Sequence, residues 1–598
     1  MSAIDFTKPI TYPKALKLPF HITPTTTLTL LAFQLINLII APFNVLILAH
    51  FINTAQEVLT QAGDWNRILL PLLLLAIVNL YTNIASPFLG LLALKQQQKA
   101  WLAIDHPLVK TYTSLQIKHT ENRETTDLVH RVLDANAPHN ILMNIWGNFS
   151  SFIFNICMIA SYLIILMLNA PLAGVFIIIA TPPVMVLSKK AAKEKYKTQQ
   201  DLSTHSRMRG LHLRFLRMRE SAAERKIFGF MPMLQQKYLE IFQIIRKLTF
   251  KVDIKWMLVD NSIQLLLTGI GIVTLLLMLP SVQNGSISAG MFISLIGVLF
   301  LTLSNVVQNQ SHFFKTFTIQ REYLKEFNQY LMLGRTPGAL DKMSQNPPTF
   351  KTLELRNVSF VYPGMQKQVL NNISLTIEAG RNYALVGANG SGKTTLAKLL
   401  LHMYDDYTGE ILLNGISIRE WEMSDIKAML TAAFQDFMRF DISVADNIAV
   451  GNGMRSAETE IDHAINVVGL RTTIDKLKNG KDTLIGKIYD DSVELSGGQW
   501  QKIAMARAVV SPAQLKILDE PTAALDPMAE QEIYTQFDEI SKDASTIFIS
   551  HRLASAKMAD EIFVLDNGNL VEQGSHEELM AKDGLYNKMF KSQQGWYV

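Results

Sequence analysis

The sequence predicts two unlike domains in series: an all-α membrane domain of six transmembrane helices, followed by an α/β domain built around a phosphate-binding loop. Three observations carry this reading. Long apolar runs without charge recur through the first half and end near residue 307. The second half alternates short apolar strands with glycine turns and charged helices. A glycine-rich stretch, GANGSGKTT at 387–395, directly follows one of those strands. A chain of 598 residues is too long for one domain, and at 48% hydrophobic with a mean hydropathy of +0.16 it is too apolar for an ordinary soluble protein. Expected boundaries are a lead-in at 1–24, a membrane domain at 25–330, a linker at 331–348 and the α/β domain at 349–598.

A spanning helix needs about 20 mainly apolar residues to cross about 30 Å of hydrocarbon. Six stretches qualify: 28–52, 68–92, 149–168, 172–187, 256–279 and 291–307. Little more than Asn169, Ala170 and Pro171 joins the third to the fourth, which predicts a tight antiparallel pair. Residues 1–24 hold Asp5 and four prolines without an apolar core, so they read as an interfacial or cytoplasmic lead-in and not as a cleavable signal. Cys157, the single cysteine, excludes a disulfide framework and a cysteine metal cluster, and reads as a packing residue.

Charge orients the spans. Lys95, Lys99, Lys110, Lys118, Arg123 and Arg131 lie between the second and third, and a denser basic set runs from Lys189 to Lys255 between the fourth and fifth. Segments 53–64, 169–171 and 281–288 contain no Lys or Arg. Both termini and both long loops are therefore expected on the cytoplasmic side of the membrane. Charge that follows topology this closely argues against a nucleic-acid surface. Taken as helix, 188–255 would make two arms of about 34 residues, each reaching about 50 Å at 1.5 Å per residue. Bends are expected at 122–127 and 219–228, as contact points for a cytoplasmic motor.

The second domain opens near Thr349, where TLELRNVSFVYP alternates like a half-buried strand. NYALVGANGSGKTTLAKLLL then runs from apolar strand through glycine loop into helix, the setting that G-x-x-x-x-G-K-[ST] requires. Gly387, Asn389, Gly390, Ser391 and Gly392 let backbone N–H groups wrap phosphates, with Thr395 in the first helical turn. Lys393 would reach the terminal phosphates, and Thr394 would ligate Mg²⁺. In AQLKILDEPTAALDP, Asp519 and Glu520 end an apolar strand, where one carboxylate can hold Mg²⁺ and the next can polarise the attacking water. Lys516 interrupts that strand and is expected near its entrance, with its ammonium reaching water. A second glycine-rich helix start, ELSGGQWQ at 494–501, is surplus to the binding of one nucleotide.

The ordered set of Tyr362, GANGSGKT at 387–394, Gln435 in AAFQDF, LSGGQ at 495–499, LDE at 518–520, ALD at 524–526 and His551 in ISHR resembles the nucleotide-binding domain of ABC transporters. With the six spans, nearly the whole chain resembles an ABC exporter half-transporter. The resemblance implies adenine stacking by Tyr362, γ-phosphate and Mg²⁺ sensing by Gln435, a catalytic base in Glu520, a γ-phosphate switch at His551 and a nucleotide-site role for Asp526. It implies ATP and Mg²⁺ as cofactors and a second copy of the chain as partner. Ser496, Gly497, Gly498 and Gln499 would then close on the nucleotide held by that other copy.

Two departures stand out. The stretch often written T-x-V-G-E in the family is here Thr483, Leu484, Ile485, Gly486 and Lys487, followed by the insert IYDDSVE. Trp500 follows LSGGQ where a polar or basic residue is more usual, and this GGQWQ form resembles bacterial exporters of lantibiotics and related peptides. The spans carry Gln34, Asn37, Asn44, Asn79, Asn83, Asn144, Asn148, Asn155, Asn261, Gln264, Asn305 and Gln308, with Asp260 the only acid. Such amides serve as packing glue or line a wet pathway, and their number suggests a polar, nearly neutral one. The expected activity is ATP-driven export of a peptide from cytoplasm or inner leaflet by a lipid-embedded homodimer. The alternatives are drug or lipid export, chelate import on the same fold, and a nucleotide-gated channel or sensor. A soluble ATPase acting on nucleic acid is excluded by the spans.

Overall fold

The computed structural model describes residue 6 and residues 8–594 apart from 62–64, 135–137, 170, 219–220, 522–530, 532–534, 543 and 551–552. The described residues up to Val109 and from Asp127 to Met332 form one compact unit, while Lys110–Thr126 and the residues from Leu333 onward form another.

The first unit is helical throughout. A short helix, Tyr12–Ile22, leads through Thr23 into Pro24–Gln61, and the Pro19 carbonyl, which already accepts the Thr23 N–H at 2.8 Å, also accepts the Thr23 and Thr27 hydroxyls at 3.1 and 3.0 Å. Asn66–Thr113, Pro138–Asn169, Pro171–Asp201, Met231–Gln283 and Ala289–Leu331 are the other long helices. Among the described residues, the helices beginning at Pro24, Asn66, Pro138 and Met231 are long and apolar enough to cross a membrane. The remaining two predicted stretches, 172–187 and 291–307, lie inside the continuous helices Pro171–Asp201 and Ala289–Leu331. Gly290 abuts Ala49: a Cβ there would sit 2.2 Å from the Ala49 carbonyl oxygen, and without it Asn53 takes the Gly290 N–H at 2.8 Å. Cys157 is exposed on its helix, which corrects the packing role read from the sequence.

The bends fall close to where they were expected. The first comprises Ile117–Glu121, an extended Asn122 whose side chain caps Glu124 N at 2.8 Å, Arg123–Val129, and a π turn at His130–Asp134. The second follows Ser203–Arg217 and contains Ala222–Ile227, with Ile227 and Phe228 largely exposed.

The second unit holds two sheets. An antiparallel sheet pairs β1 (Thr352–Val361) with β2 (Gln368–Glu378) and β4 (Tyr407–Leu413), with β5 (Ile416–Ser417) at its edge. The alternation in β1 buries Leu353 and Leu355, and a bulge at Asn357, which takes a φ of +50°, resets it so that Val358 and Phe360 also point inward. The main sheet has the order β10-β9-β3-β8-β7-β6. It is built from β3 (Asn382–Gly387), β6 (Leu430–Ala433), β7 (Leu515–Asp519), β8 (Ser545–Ile549), β9 (Glu561–Asp566) and β10 (Asn569–Gly574). All its pairings are parallel except β9 with β10. Strands β7 and β8 are buried along their whole length, as a sheet covered on both faces demands. Lys516 is the second residue of β7, yet its side chain does not reach water: it is buried, and Nζ donates to the Ile540 carbonyl at 3.3 Å.

Candidate nucleotide site

The carboxyl ends of β3 and β7 place the predicted chemistry, as expected for an open parallel sheet. After β3, Gly387 takes φ +154° and Gly392 φ +107°. A Cβ on Gly387 would fall 2.2 Å from the Leu565 carbonyl oxygen, and one on Gly392 2.7 Å from Leu370, so the loop closes only with glycine at both positions. Gly392 is the N-cap of helix Lys393–Leu400, and no side chain caps that end. Asn389, Gly390 and Thr394 are exposed, whereas Ser391, Lys393 and Thr395 are buried. The Lys393 ammonium folds back onto the Gly387 and Ala388 carbonyls at 2.9 and 3.1 Å. Burial pulls its pKa down, against the carboxylates of Glu520 and Asp519. A phosphate would exchange those carbonyl contacts for stronger charge-assisted ones.

At the end of β7, Asp519 is buried and its two carboxylate oxygens make no well-formed hydrogen bond, although the Thr394 hydroxyl approaches them. Burial pushes this carboxyl up, with Thr394 and Lys393 pulling the other way. A buried carboxylate with open lone pairs beside an exposed threonine hydroxyl fits a hard divalent cation such as Mg²⁺. Glu520 follows in the left-handed region at φ +49°, and its Oε2 accepts from Gln435 Nε2 at 2.7 Å. That contact brings together two residues 85 positions apart in sequence and leaves the Gln435 Oε1 as the atom able to face a cation.

Tyr362 sits just past β1. Its hydroxyl pairs with Thr395 Oγ1 at 3.0 Å, and its ring meets Phe360 and Tyr404 edge to face at 5.0 and 5.6 Å. The second glycine-rich start behaves differently. Ser496 caps helix Gly497–Val510 by accepting from Gln499 N at 3.3 Å, while Gln499 Oε1 accepts from Ser496 N at 2.8 Å. Ser496 and Gly497 are exposed. Trp500 is 1% exposed and fills the core beneath this helix, with the Arg439 guanidinium 5.9 Å from its ring. The insert after Lys487 exposes Ile488 and Tyr489. Asp526 and His551 lie outside the described residues.

Several contacts had no sequence signal. Ile117 packs on the core beneath β1 and β2, Lys118 pairs with Asp406 at 2.8 Å, and Glu121 pairs with Lys398 at 2.9 Å while accepting from the Tyr404 hydroxyl. Half-buried Arg507, its pKa lowered by desolvation to about 10, donates to the Asn447 and Met438 carbonyls at 2.9 and 2.8 Å.

In the first unit, a cavity of about 700 Å³ is lined by Gln34, Gln96, Gln97, Asn140, Asn144 and Trp146 among others, and one of about 490 Å³ by Asn37, Asn44, Thr82, Ser86 and Tyr162. Among the described residues, no charged side chain lines either. Other amides turn onto their own helices, Asn79 to the Leu75 carbonyl and Asn155 to that of Ser151. The side chains of Asp260, Asn305 and Gln308 lie outside the described residues.

The family model described as ABC transporter matches residues 370–523. Across nearly the whole chain, the sequence is 30% identical to the subtilin transport ATP-binding protein SpaT of Bacillus subtilis, covering 97% of this chain and 94% of that protein. The chain belongs to the ABC transporter family. ATP-dependent lipid A-core flippases are similar over a shorter stretch: the Salmonella paratyphi A protein is 41% identical over 243 residues, 41% of each chain, and that of Pseudomonas aeruginosa 43% over 237. The fold matches a solved bacterial Atm1-family ABC exporter with ATP bound, at a TM-score of 0.76 and 22% identity over 94% of this chain and 98% of that one. This ABC transporter is thus an exporter-type membrane protein that binds ATP and couples its hydrolysis to transport.

Proposed function

We propose that the chain works as a homodimer which exports a peptide, with six spans in the bacterial cytoplasmic membrane and the ATPase domain in the cytoplasm. The observation that carries the cargo class is the lining of the two membrane-domain cavities, which among the described residues consists of amides, hydroxyls and apolar groups without one charge. Such a surface suits a chain of uncharged hydrogen-bonding groups, which is what a peptide backbone presents. It suits poorly a headgroup carrying several phosphates, which calls for Arg or Lys. The extent of similarity points the same way, since the relative matched along its length is named for subtilin transport, while the flippases match over fewer than half of their residues.

In this reading Gly387–Thr395 cradles the phosphates, Lys393 pairs with the terminal ones, and Tyr362 stacks on the adenine. Thr394, Gln435 and Asp519 hold Mg²⁺, whose charge would offset that building on the phosphoryl oxygens. Glu520 takes the proton of the attacking water, held in place by Gln435, with His551 and Asp526 completing the site. Ser496, Gly497, Gly498 and Gln499 close on the nucleotide of the other copy.

The test is reconstitution in liposomes with ATPase and protected-cargo assays on an uncharged amphipathic peptide, a phosphorylated glycolipid and a cationic dye. The peptide is expected to stimulate ATPase and to become protease-protected in inside-out vesicles, and Asn144→Leu to weaken both while sparing basal turnover. Stimulation by the glycolipid or dye alone would overturn the cargo assignment.

A further inference from the structure

Glu520 is held at its backbone as well as at its carboxylate. Its φ of +49° lies in the left-handed region, which costs a side-chain-bearing residue about 1–2 kcal/mol. Pro521 follows it, and a residue before proline relaxes toward extended backbone when left to itself. Something must therefore hold this conformation. Glu520 N donates to the Ile549 carbonyl at 2.9 Å, and the Glu520 carbonyl accepts from Gln501 Nε2 at 2.8 Å. Gln501 is 5% exposed and lies in the second turn of helix Gly497–Val510, the helix that Ser496 caps.

A change of φ at Glu520 from left-handed to extended would rotate the Cα–Cβ bond by a large angle and carry the carboxylate away from Gln435. The direction of that carboxylate thus depends on a backbone geometry fixed from two sides. One side is the sheet. The other is the Gln501 amide, on a helix whose N-cap, Ser496, lies five residues earlier, about 7.5 Å along the axis.

We propose that Gln501 is a positioning residue for hydrolysis: its amide clamps the Glu520 carbonyl, keeps the residue left-handed, and so aims the carboxylate at the attacking water. This rests on Glu520 being the catalytic base. A further consequence is that any shift of the Ser496-capped helix reaches Glu520 through this amide. The competing account is that Gln501 merely satisfies a buried carbonyl, in which case its loss would lower stability without a specific effect on turnover.

The experiment uses the full-length protein in nanodiscs with three variants. Gln501→Leu removes the donor at similar volume. Gln501→Glu leaves a donor only while the buried carboxyl is protonated, and burial lifts such a group toward neutral pH or above. Glu520→Gln tests the underlying assignment. For Gln501→Leu, kcat is expected to fall about 10- to 100-fold, the scale of an ångström-level misplacement, with the KM for ATP within about twofold of wild type. For Gln501→Glu, the ratio of mutant to wild-type kcat is expected to be highest near about pH 6 and to fall toward about pH 8.5 as the donor proton is lost. Wild-type kcat in Gln501→Leu, or pH-independent losses in both variants that track a lowered Tm, would overturn the clamp. Glu520→Gln with wild-type ATPase would instead overturn the base assignment on which the clamp rests.

Discussion

The two glycine-rich helix starts of the ATPase domain resemble each other in sequence and differ in construction. At Gly387–Thr394 the helix start has no side-chain cap, its lysine is turned inward onto loop carbonyls, and glycines at φ +154° and +107° hold a tight loop against Leu565 and Leu370. At Ser496–Gln499 a reciprocal capping box already satisfies two groups of the turn, and the hydroxyl that makes it is exposed. The first is a helix start that no side chain caps. The second is a finished helix end that presents a surface. A chain that needed both for one nucleotide would have no reason to complete the second by itself, whereas a chain that offers its second start to another copy would need it rigid before contact.

The largest expected effect breaks the first start or the carboxylate beside it. Lys393→Ala should abolish detectable ATP binding and turnover together. Glu520→Gln should retain ATP binding while lowering turnover about 10²- to 10⁴-fold, because the carboxamide keeps the shape but cannot accept a proton. Nucleotide binding by fluorescent analogue and phosphate release measure the two separately. Near-normal phosphate release from Glu520→Gln would place the base elsewhere.

The next experiment asks whether the two starts belong to one site or two chains. Lys393→Ala and Ser496→Arg are placed in defined mixed dimers. If each nucleotide lies between the cradle of one chain and the second start of the other, one lesion per chain ruins one site twice and leaves the other whole, so about half of the wild-type turnover is the upper expectation. Both lesions on one chain put a defect in each site, and turnover should be lost. The reverse order would show that each site is built within one chain and would end the composite reading.

The same contrast explains what was legible in the sequence. The strand, glycine loop and helix at 382–400 were readable because the pattern is local: glycine spacing, a lysine and a preceding apolar strand specify it within a dozen residues. Asp519 and Glu520 were readable as acids at a strand end. The left-handed backbone of Glu520 was not, since it depends on Ile549 and Gln501 arriving from elsewhere in the chain. The bend at Asn122 was visible in composition, but the pairing of Glu121 with Lys398 and Tyr404 joins positions 277 and 283 apart and leaves no periodic trace. Lys516 was misread because a carbonyl partner, Ile540, lies where water was expected. Among the membrane amides, composition could not separate Asn144, which lines a cavity, from Asn79, which folds onto its own helix.

The smallest expected effect separates the two duties of Ser496. Its oxygen accepts the Gln499 N–H, which is a cap, while its proton remains available to a phosphate across an interface. Ser496→Ala removes both, so stability should drop by about 1 kcal/mol, the usual worth of an N-cap, and turnover by a few-fold. Ser496→Asp keeps a good cap but sets a negative charge where a phosphate would come, so its Tm should stay near wild type while its ATPase falls further than that of the alanine variant. The two substitutions therefore rank in opposite orders for stability and for turnover if the turn meets a nucleotide. Should ATPase instead follow Tm in both, with the aspartate variant the more active, the second start would be a helix cap alone, and the difference in construction between the two loops would have no bearing on the nucleotide.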